Sequence, residues 1–300
     1  MRLTVRCRAV ADETVSKAGP RRVVRSLLDL DEELAATVPE ADRGEARRMI
    51  VGAQAQLPCG AARPYDLAHV SALYVSHGAL LREVTLGTVA LPEIISGGDF
   101  MRPRPVTDTL GWGTVSLQAI EPVTLLALDE RFAEATARWP ALRATVEQRG
   151  AERHHRALLV GAIGHLPRVD QRVIALLWLF ATEWGRVAAE GLVVPFPLTH
   201  AAIGRFIGAA RSTVTLAITE LTTDGLIRRR PDGAWLLPSE SEPAARELLG
   251  VPDQMPALAL NGRTLRRRSA ELRRTVRTTI EEAAIAAEEA ALARTRRTSG

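Results

Sequence analysis

The stretch that most constrains the fold is residues 198–238, LTHAAIGRFIGAARSTVTLAITELTTDGLIRRRPDGAWLLP. Its apolar residues recur at helical spacing in two groups on either side of Gly208, which predicts two helices joined by a tight turn. The two groups are Ala202, Ile203, Phe206 and Ile207, and then Val214, Ala217, Ile218 and Leu221. We expect Thr199 to cap the first helix and Gly225 to end the second. The residues at 230–233, Arg-Pro-Asp-Gly, predict the turn of a short hairpin.

A helix-turn-helix followed by a basic hairpin is typical of proteins that place the second helix in the major groove of DNA and the hairpin on the backbone. Arg211, in the first turn of the second helix, is suited to a guanine or a phosphate. The candidate DNA-contacting residues are Thr199, His200, Arg211, Ser212, Thr213, Thr215, Arg228, Arg229 and Arg230. An ordinary helical hairpin with a solvated basic loop is the alternative. The ordered run of cap, turn, Gly225 and basic hairpin favours DNA binding.

This stretch resembles the winged helix of the Crp/Fnr superfamily of bacterial transcription regulators. The resemblance rests on Leu198-Thr199, Ile203-Gly204, Ile207-Gly208, Arg211-Ser212-Thr213-Val214, Leu221 and Gly225-Leu226-Ile227. It implies that the helix over residues 211–224 reads double-stranded DNA, a palindromic operator, as part of a homodimer, with RNA polymerase as a further partner. The best-known members have a glutamate and a second arginine where this chain has Ser212 and Leu216. We therefore do not expect this chain to recognise the operator sequence of the best-known members.

A second region, residues 51–128, alternates short apolar runs with glycine and proline, which predicts the strands of an antiparallel barrel or jelly roll. It resembles the cyclic-nucleotide-binding-like β-roll of the same superfamily at residues 76–80, 95–100 and 123–128. Before it, residues 22–49 read as helical, with a break at Pro39.

The predicted fold class is therefore α+β, with a β-roll, a long dimerisation helix, a winged helix-turn-helix and a C-terminal helical extension. The predicted boundaries are 1–135 for the β-roll with N-terminal helices, 136–166 for the connecting helix, 167–240 for the winged helix-turn-helix, and 241–300 for a linker and a basic and acidic helical extension. The extension's helix, residues 263–297, is expected either to contact DNA or a partner or to dock on its own domain.

The signal sensed by the β-roll is a separate question. In members that bind cyclic AMP, the turn equivalent to residues 98–100 is followed by a helix with a glutamate, and later by an arginine for the cyclic phosphate. Here residues 101–105 are Met-Arg-Pro-Arg-Pro, and Gly113 takes the place of that arginine, which argues against a cyclic nucleotide. An unknown small-molecule or protein effector is expected. The candidate effector-binding residues are Arg102, Arg104 and Trp112, with exposed loop charges and a barrel-closing tryptophan as the alternatives.

Composition narrows the remaining classes. The chain has 300 residues, a length that predicts two domains and an extension. Of these residues 46% are hydrophobic, which is enough to form a core in each domain, and the net charge is +4. Two cysteines are too few for an iron–sulfur cluster with four thiolate ligands, and we expect no metal or other cofactor. Residues 1–10 do not read as a signal peptide, and the longest apolar runs are too short to cross a bilayer, so we expect a cytoplasmic protein without a membrane partner.

Two other function classes remain open beside direct DNA readout. One is a protein-interaction regulator, and the other is a small-molecule-binding barrel protein, both with indirect DNA contact. An enzymatic barrel would need a metal cluster, for which His69, His77 and Glu83 have no known ligand spacing. No segment carries a catalytic motif, so we expect no enzymatic activity.

Overall fold

The computed structural model describes residues 23–61, 70–102, 113–196 and 198–251. The candidate effector residues Arg104 and Trp112 and the helix predicted over residues 263–297 lie outside these ranges. Their assignment therefore stays a prediction.

The N-terminal half consists of short helices and antiparallel strands. The helices are α1 (Leu27–Leu30), α2 (Glu32–Ala36) and α3 (Arg43–Met49), with a 3-10 turn at Glu40–Asp42. The strands are β1 (Val23–Ser26), β2 (Val51–Leu57), β3 (Ala72–His77), β4 (Ala79–Leu86), β5 (Val89–Ser96), β6 (Phe100–Met101), β7 (Gly113–Ala119) and β8 (Val123–Leu128). The prediction of helix at residues 23–26 was wrong, because this segment pairs with β2 as an edge strand.

Two sheets form a roll. One has the strand order β1-β2-β8-β3-β6 and the other β5-β4-β7. Their facing sides enclose an apolar core of Leu57, Leu73, Val75, Leu80, Ile95, Met101, Ala119, Val123 and Leu125. The three short helices cover the opposite side of the larger sheet. The predicted α+β class with an N-terminal roll is confirmed.

A long helix connects the two halves of the chain. It is α5 (Pro140–Gly164), preceded by α4 (Arg131–Arg138), and its 25 residues correspond to about 37 Å. On α5, Arg149 is 5% exposed, and its guanidinium contacts Asp31 at 2.5 and 3.1 Å and Glu33 at 2.8 Å. The hydroxyl of Tyr74 also donates to Asp31, at 2.6 Å. Burial alone would raise the pKa of Asp31, but the hydrogen bonds from Arg149 and Tyr74 and the charge of Arg149 hold it below its ordinary value.

Two further arginines extend this line of contacts along α5. Arg153 donates to Glu93 of β5 at 2.7 Å. Arg156 donates to both carboxylate oxygens of Asp99 at 2.8 and 2.9 Å, and its other terminal nitrogen lies 3.5 Å from Glu183. Asp99 is completely buried, and its carboxylate also accepts from the backbone amide and the hydroxyl of Ser96 at 2.9 and 3.3 Å.

The C-terminal half is a second α+β unit. Its elements are α6 (Val169–Trp184), β9 (Arg186–Ala188), β10 (Gly191–Val194), α7 (His200–Ile207), α8 (Arg211–Thr223), β11 (Arg228–Arg229), β12 (Trp235–Pro238), a 3-10 turn at Ser239–Ser241 and α9 (Glu242–Leu248). The four strands form one sheet in the order β11-β12-β10-β9. The linker expected after residue 240 is wrong as far as residue 248, because Ala245 is buried and Leu248 accepts a hydrogen bond from Gln171 at 2.8 Å.

The roll and the C-terminal unit share apolar and polar contacts. Ala79, Leu81, Ile94 and Ile120 of the roll belong to the same buried cluster as the apolar faces of α6, α7 and α8. The indole nitrogen of Trp184 donates to Ser96 at 2.8 Å, and Arg205 of α7 donates to Glu83 of β4 at 2.7 Å. Across the described ranges, no helix combines the length and apolarity needed to cross a membrane.

We predict that replacing Arg149 with methionine lowers the free energy of unfolding by about 3–5 kcal/mol, because it leaves the carboxylate of Asp31 buried without its cation. Urea denaturation followed by circular dichroism measures this loss. Arg143→Met is the control on the same helix: the side chains of Arg143 and Glu147 are 62% and 63% exposed, so breaking that pair should leave the midpoint unchanged. Equal midpoints for the two variants would contradict the prediction.

Candidate DNA-binding site

Local signals fix the helix-turn-helix. The hydroxyl oxygen of Thr199 accepts from the backbone amide of Ala202 at 3.1 Å and so caps α7 as predicted. Gly208 ends that helix at φ 65°, the left-handed conformation that a side chain would strain. Gly225 has φ 73°, and Leu226 donates to the carbonyl of Leu221 at 2.9 Å, which closes the end of α8. These three sequence predictions are confirmed.

The helix α8 has one buried side and one exposed side. Val214, Ala217, Ile218 and Leu221 are buried in the core that α8 shares with α6 and α7. With about 100° between successive residues, the opposite side carries Ser212, Leu216, Thr219 and Thr223, all of which are exposed. Arg211 is exposed in the first turn, on the flank of this outward side. Of the residues of α8 predicted to contact DNA, Ser212 lies on this outward side, and Arg211, Thr213 and Thr215 are exposed beside it.

His200 joins the two helices at their exposed end. Its Nδ1 lies 2.9 Å from the hydroxyl of Thr215, and its ring centroid lies 6.1 Å from that of Trp235. Burial lowers the pKa of His200, and the nearby charges of Arg229 and Arg211 lower it further. The imidazole is consequently neutral at pH 7, beside two cations whose charges favour an incoming anion.

The three arginines of the basic hairpin, Arg228, Arg229 and Arg230, make different contacts. Arg229 is stacked over Trp235 at 4.3 Å and donates to the carbonyl of Leu198 at 2.9 Å. Burial lowers the pKa of Arg229, against an opposing effect of Asp232. Arg228 and Arg230 lie 3.8 and 3.5 Å from the carboxylates of Glu240 and Asp232, respectively, in solvent-accessible pairs. Arg229 thus fixes the hairpin to the start of α7, a role that the sequence did not indicate.

The candidate residues fall into two groups in space. His200 contacts Thr215, and the charges of Arg211 and of Arg229 in the hairpin act on it. Arg102, a candidate effector residue, is exposed at the end of β6 in the roll. Glu83, weighed as a metal ligand, instead accepts from Arg205. In the described part of the chain, no three His, Cys, Asp or Glu side chains are grouped as a metal site would require.

Sequence reasoning missed two residues of this region. Trp235 supports both His200 and Arg229, and its indole nitrogen donates to the carbonyl of Leu198 at 3.1 Å. Trp235 lies in the strand directly after the predicted turn, and no sequence pattern singled it out. Leu216 was noted only as a departure from the family pattern, yet it is 66% exposed on the outward side of α8.

The family model described as a Crp-like helix-turn-helix domain matches residues 171–239. A cyclic nucleotide-binding domain containing protein from Listeria monocytogenes EGD-e superposes with a TM-score of 0.55 at 13% identity, over 71% of this chain and 98% of that one. A CooA mutant from Carboxydothermus hydrogenoformans superposes with a TM-score of 0.53 at 16% identity, over 66% of this chain and 88% of that one.

FixK2 from Bradyrhizobium japonicum gives a TM-score of 0.50 at 16% identity, over 69% of this chain and 99% of that one. A comparison with curated protein sequences finds no significant match. At these identities, the structural likeness establishes only the fold. The family model identifies the type of the C-terminal domain. Residues 171–239 are therefore a Crp-like helix-turn-helix domain, and the chain as described shares the fold of these three structures.

Proposed function

We propose that this protein is a sequence-specific DNA-binding transcription regulator that acts as a homodimer. The observation that carries the proposal is the exposed outward side of α8 within a Crp-like helix-turn-helix domain, flanked by Arg211 and the basic hairpin. In this arrangement α8 lies in the major groove, Arg211 meets a base edge, and the hairpin arginines meet phosphates.

The charge along α8 suits an approach to the negatively charged groove. Its first nine residues carry Arg211 and no acid, and its first carboxylate is Glu220 in the third turn. The N-terminus of α7, with Thr199 and His200, adds backbone amides of the kind that contact phosphate. An acidic outward side would repel the DNA backbone, so this distribution supports DNA over an arginine-rich partner protein.

The proposed dimer uses the side of α5 that faces away from the buried arginines. Leu158, which is 59% exposed, lies on the side of this helix opposite Arg149 and Arg156, and Leu159, which is 37% exposed, lies on its flank. Pairing of two such helices would bury these leucines and set two copies of α8 about 34–36 Å apart, one turn of DNA. The palindromic operator expected from the sequence follows from that symmetry.

The proposed control is a signal received by the roll. Glu83 of β4 and Ser96 of β5 hold Arg205 of α7 and Trp184 of α6. A ligand or protein that shifted these two strands would therefore change the position of the helix-turn-helix. Through such a shift, the occupancy of the roll would alter the affinity for DNA.

We predict that Arg211→Ala weakens binding to a sequence selected by the protein from random double-stranded DNA by about 10-fold or more, because a base contact by arginine is worth about 1–3 kcal/mol. Fluorescence anisotropy at fixed salt measures the affinity. Arg143→Ala, which removes an exposed arginine near the start of α5, is the control and should bind like the wild type. Unchanged affinity of the Arg211 variant would contradict direct readout and favour indirect DNA contact.

DNA affinity should also rise as the pH falls below about 6.5, because a phosphate beside His200 would restore a pKa that burial, Arg229 and Arg211 lower in the free protein. The complex would then bind a proton that the free protein releases, so acidification favours the complex. His200→Gln should remove this part of the pH dependence. Identical pH profiles for the two proteins would contradict phosphate contact at His200.

For the dimer, we expect Leu158→Glu to shift the protein toward monomers by placing a charge in the pairing side of α5. Sedimentation velocity without DNA measures the shift. Leu216→Glu places the same charge at a leucine exposed to 66% on α8 and should leave the dimer intact. If both variants sediment like the wild type, α5 is not the interface.

A further inference from the structure

The outward side of α8 carries an apolar side chain with no structural role in the domain. Leu216 is 66% exposed, and among the large apolar residues of the described ranges only Val89, at 68%, is more exposed. The helix is anchored without it, because Val214, Ala217, Ile218 and Leu221 fill the core side. The isobutyl group of Leu216 is therefore not used by the core of the domain and is available for a contact made on binding.

The surroundings of Leu216 are neutral and rich in methyl groups. Thr219 and Thr223, on the same outward side, donate their hydroxyl protons to the carbonyls of Thr215 and Thr219, each at 2.9 Å. Because these hydroxyl protons are donated within the helix, the groups left on the outward side of α8 are the isobutyl group of Leu216 and the methyl groups of the threonines. Ser212, one turn earlier, is the neutral residue that completes this stripe.

A base that contacts Leu216 must tolerate the loss of water from its edge. Adenine, guanine and cytosine present polar atoms in the major groove, and a leucine would cover these atoms without replacing their hydrogen bonds. Thymine alone presents a methyl group there, beside a single carbonyl oxygen. The chemistry of the stripe therefore matches thymine.

We propose that Leu216 is a specificity-determining residue that packs against the C5-methyl group of a thymine in each half-site. This inference rests on the proposed DNA-binding function and adds the chemistry of the base that is read. Arg211 and Leu216 are five residues apart on α8, about 7.5 Å along the helix, so their two bases lie within about two base steps. Each half-site would then combine a guanine or phosphate contact at Arg211 with a thymine at Leu216.

The test uses the full-length protein and the sequence that it selects from random double-stranded DNA. Each thymine of the selected half-site is replaced in turn by deoxyuridine, which lacks only the C5-methyl group. At one thymine per half-site, the replacement should weaken wild-type binding about fourfold, the value of one buried methyl group. Leu216→Ala should bind the thymine and deoxyuridine forms equally well.

Val89→Ala is the matched control, because it shortens an apolar side chain that is 68% exposed in β5 of the roll, and it should keep the deoxyuridine penalty. Equal melting temperatures by circular dichroism show that Leu216→Ala is folded. A deoxyuridine penalty of the same size in wild type and Leu216→Ala would overturn the assignment while leaving DNA binding intact, as would the absence of any penalty. Failure to select any sequence would instead contradict the DNA-binding proposal on which the assignment rests.

Discussion

The structure depends on three arginines that lie on one side of α5. Arg149, Arg153 and Arg156 are spaced four and three residues apart, so they share a helix face. Each contacts carboxylates from a different part of the fold: the N-terminal helices, strand β5, and the turn before β6 together with α6. For Arg149 with Asp31 and for Arg156 with Asp99, removal of either partner leaves a buried charge without its main counterion, so these two pairs fix where the layers sit relative to α5. A connecting helix thereby becomes the element against which both halves of the chain are positioned.

This arrangement has a consequence for the proposed regulator. The guanidinium of Arg156 lies between Asp99 of the roll and Glu183 of α6, and it is 5.6 Å from the ring of Trp184. The position of the helix-turn-helix is therefore set by polar contacts to the roll as well as by apolar packing. Polar contacts of this kind depend on geometry, so a small displacement in the roll changes them more than it changes an apolar core. That sensitivity is what a sensor coupled to a DNA-binding domain needs.

The sequence predicted those parts of the fold whose causes are local. The cap at Thr199 and the left-handed turn at Gly208 depend on residues within one turn of helix, and both were found where expected. The ion pair of Arg149 with Asp31 joins residues 118 positions apart, and an arginine on a helix is usually solvated, so no pattern in the sequence indicated it. Arg229 was predicted to face DNA with its neighbours. Its stacking on Trp235 depends on how the hairpin folds back on α7, which residue spacing alone does not determine.

The most direct test of the central claim is the symmetry of the DNA that the protein selects. The full-length protein is incubated with a pool of random double-stranded DNA, bound molecules are recovered over several rounds, and the enriched sequences are read. A homodimer predicts a palindrome whose half-sites are centred about one helical turn apart, as two copies of α8 related by a dyad require. Enrichment of no sequence, or of a single asymmetric site, would contradict a homodimer that reads DNA with α8.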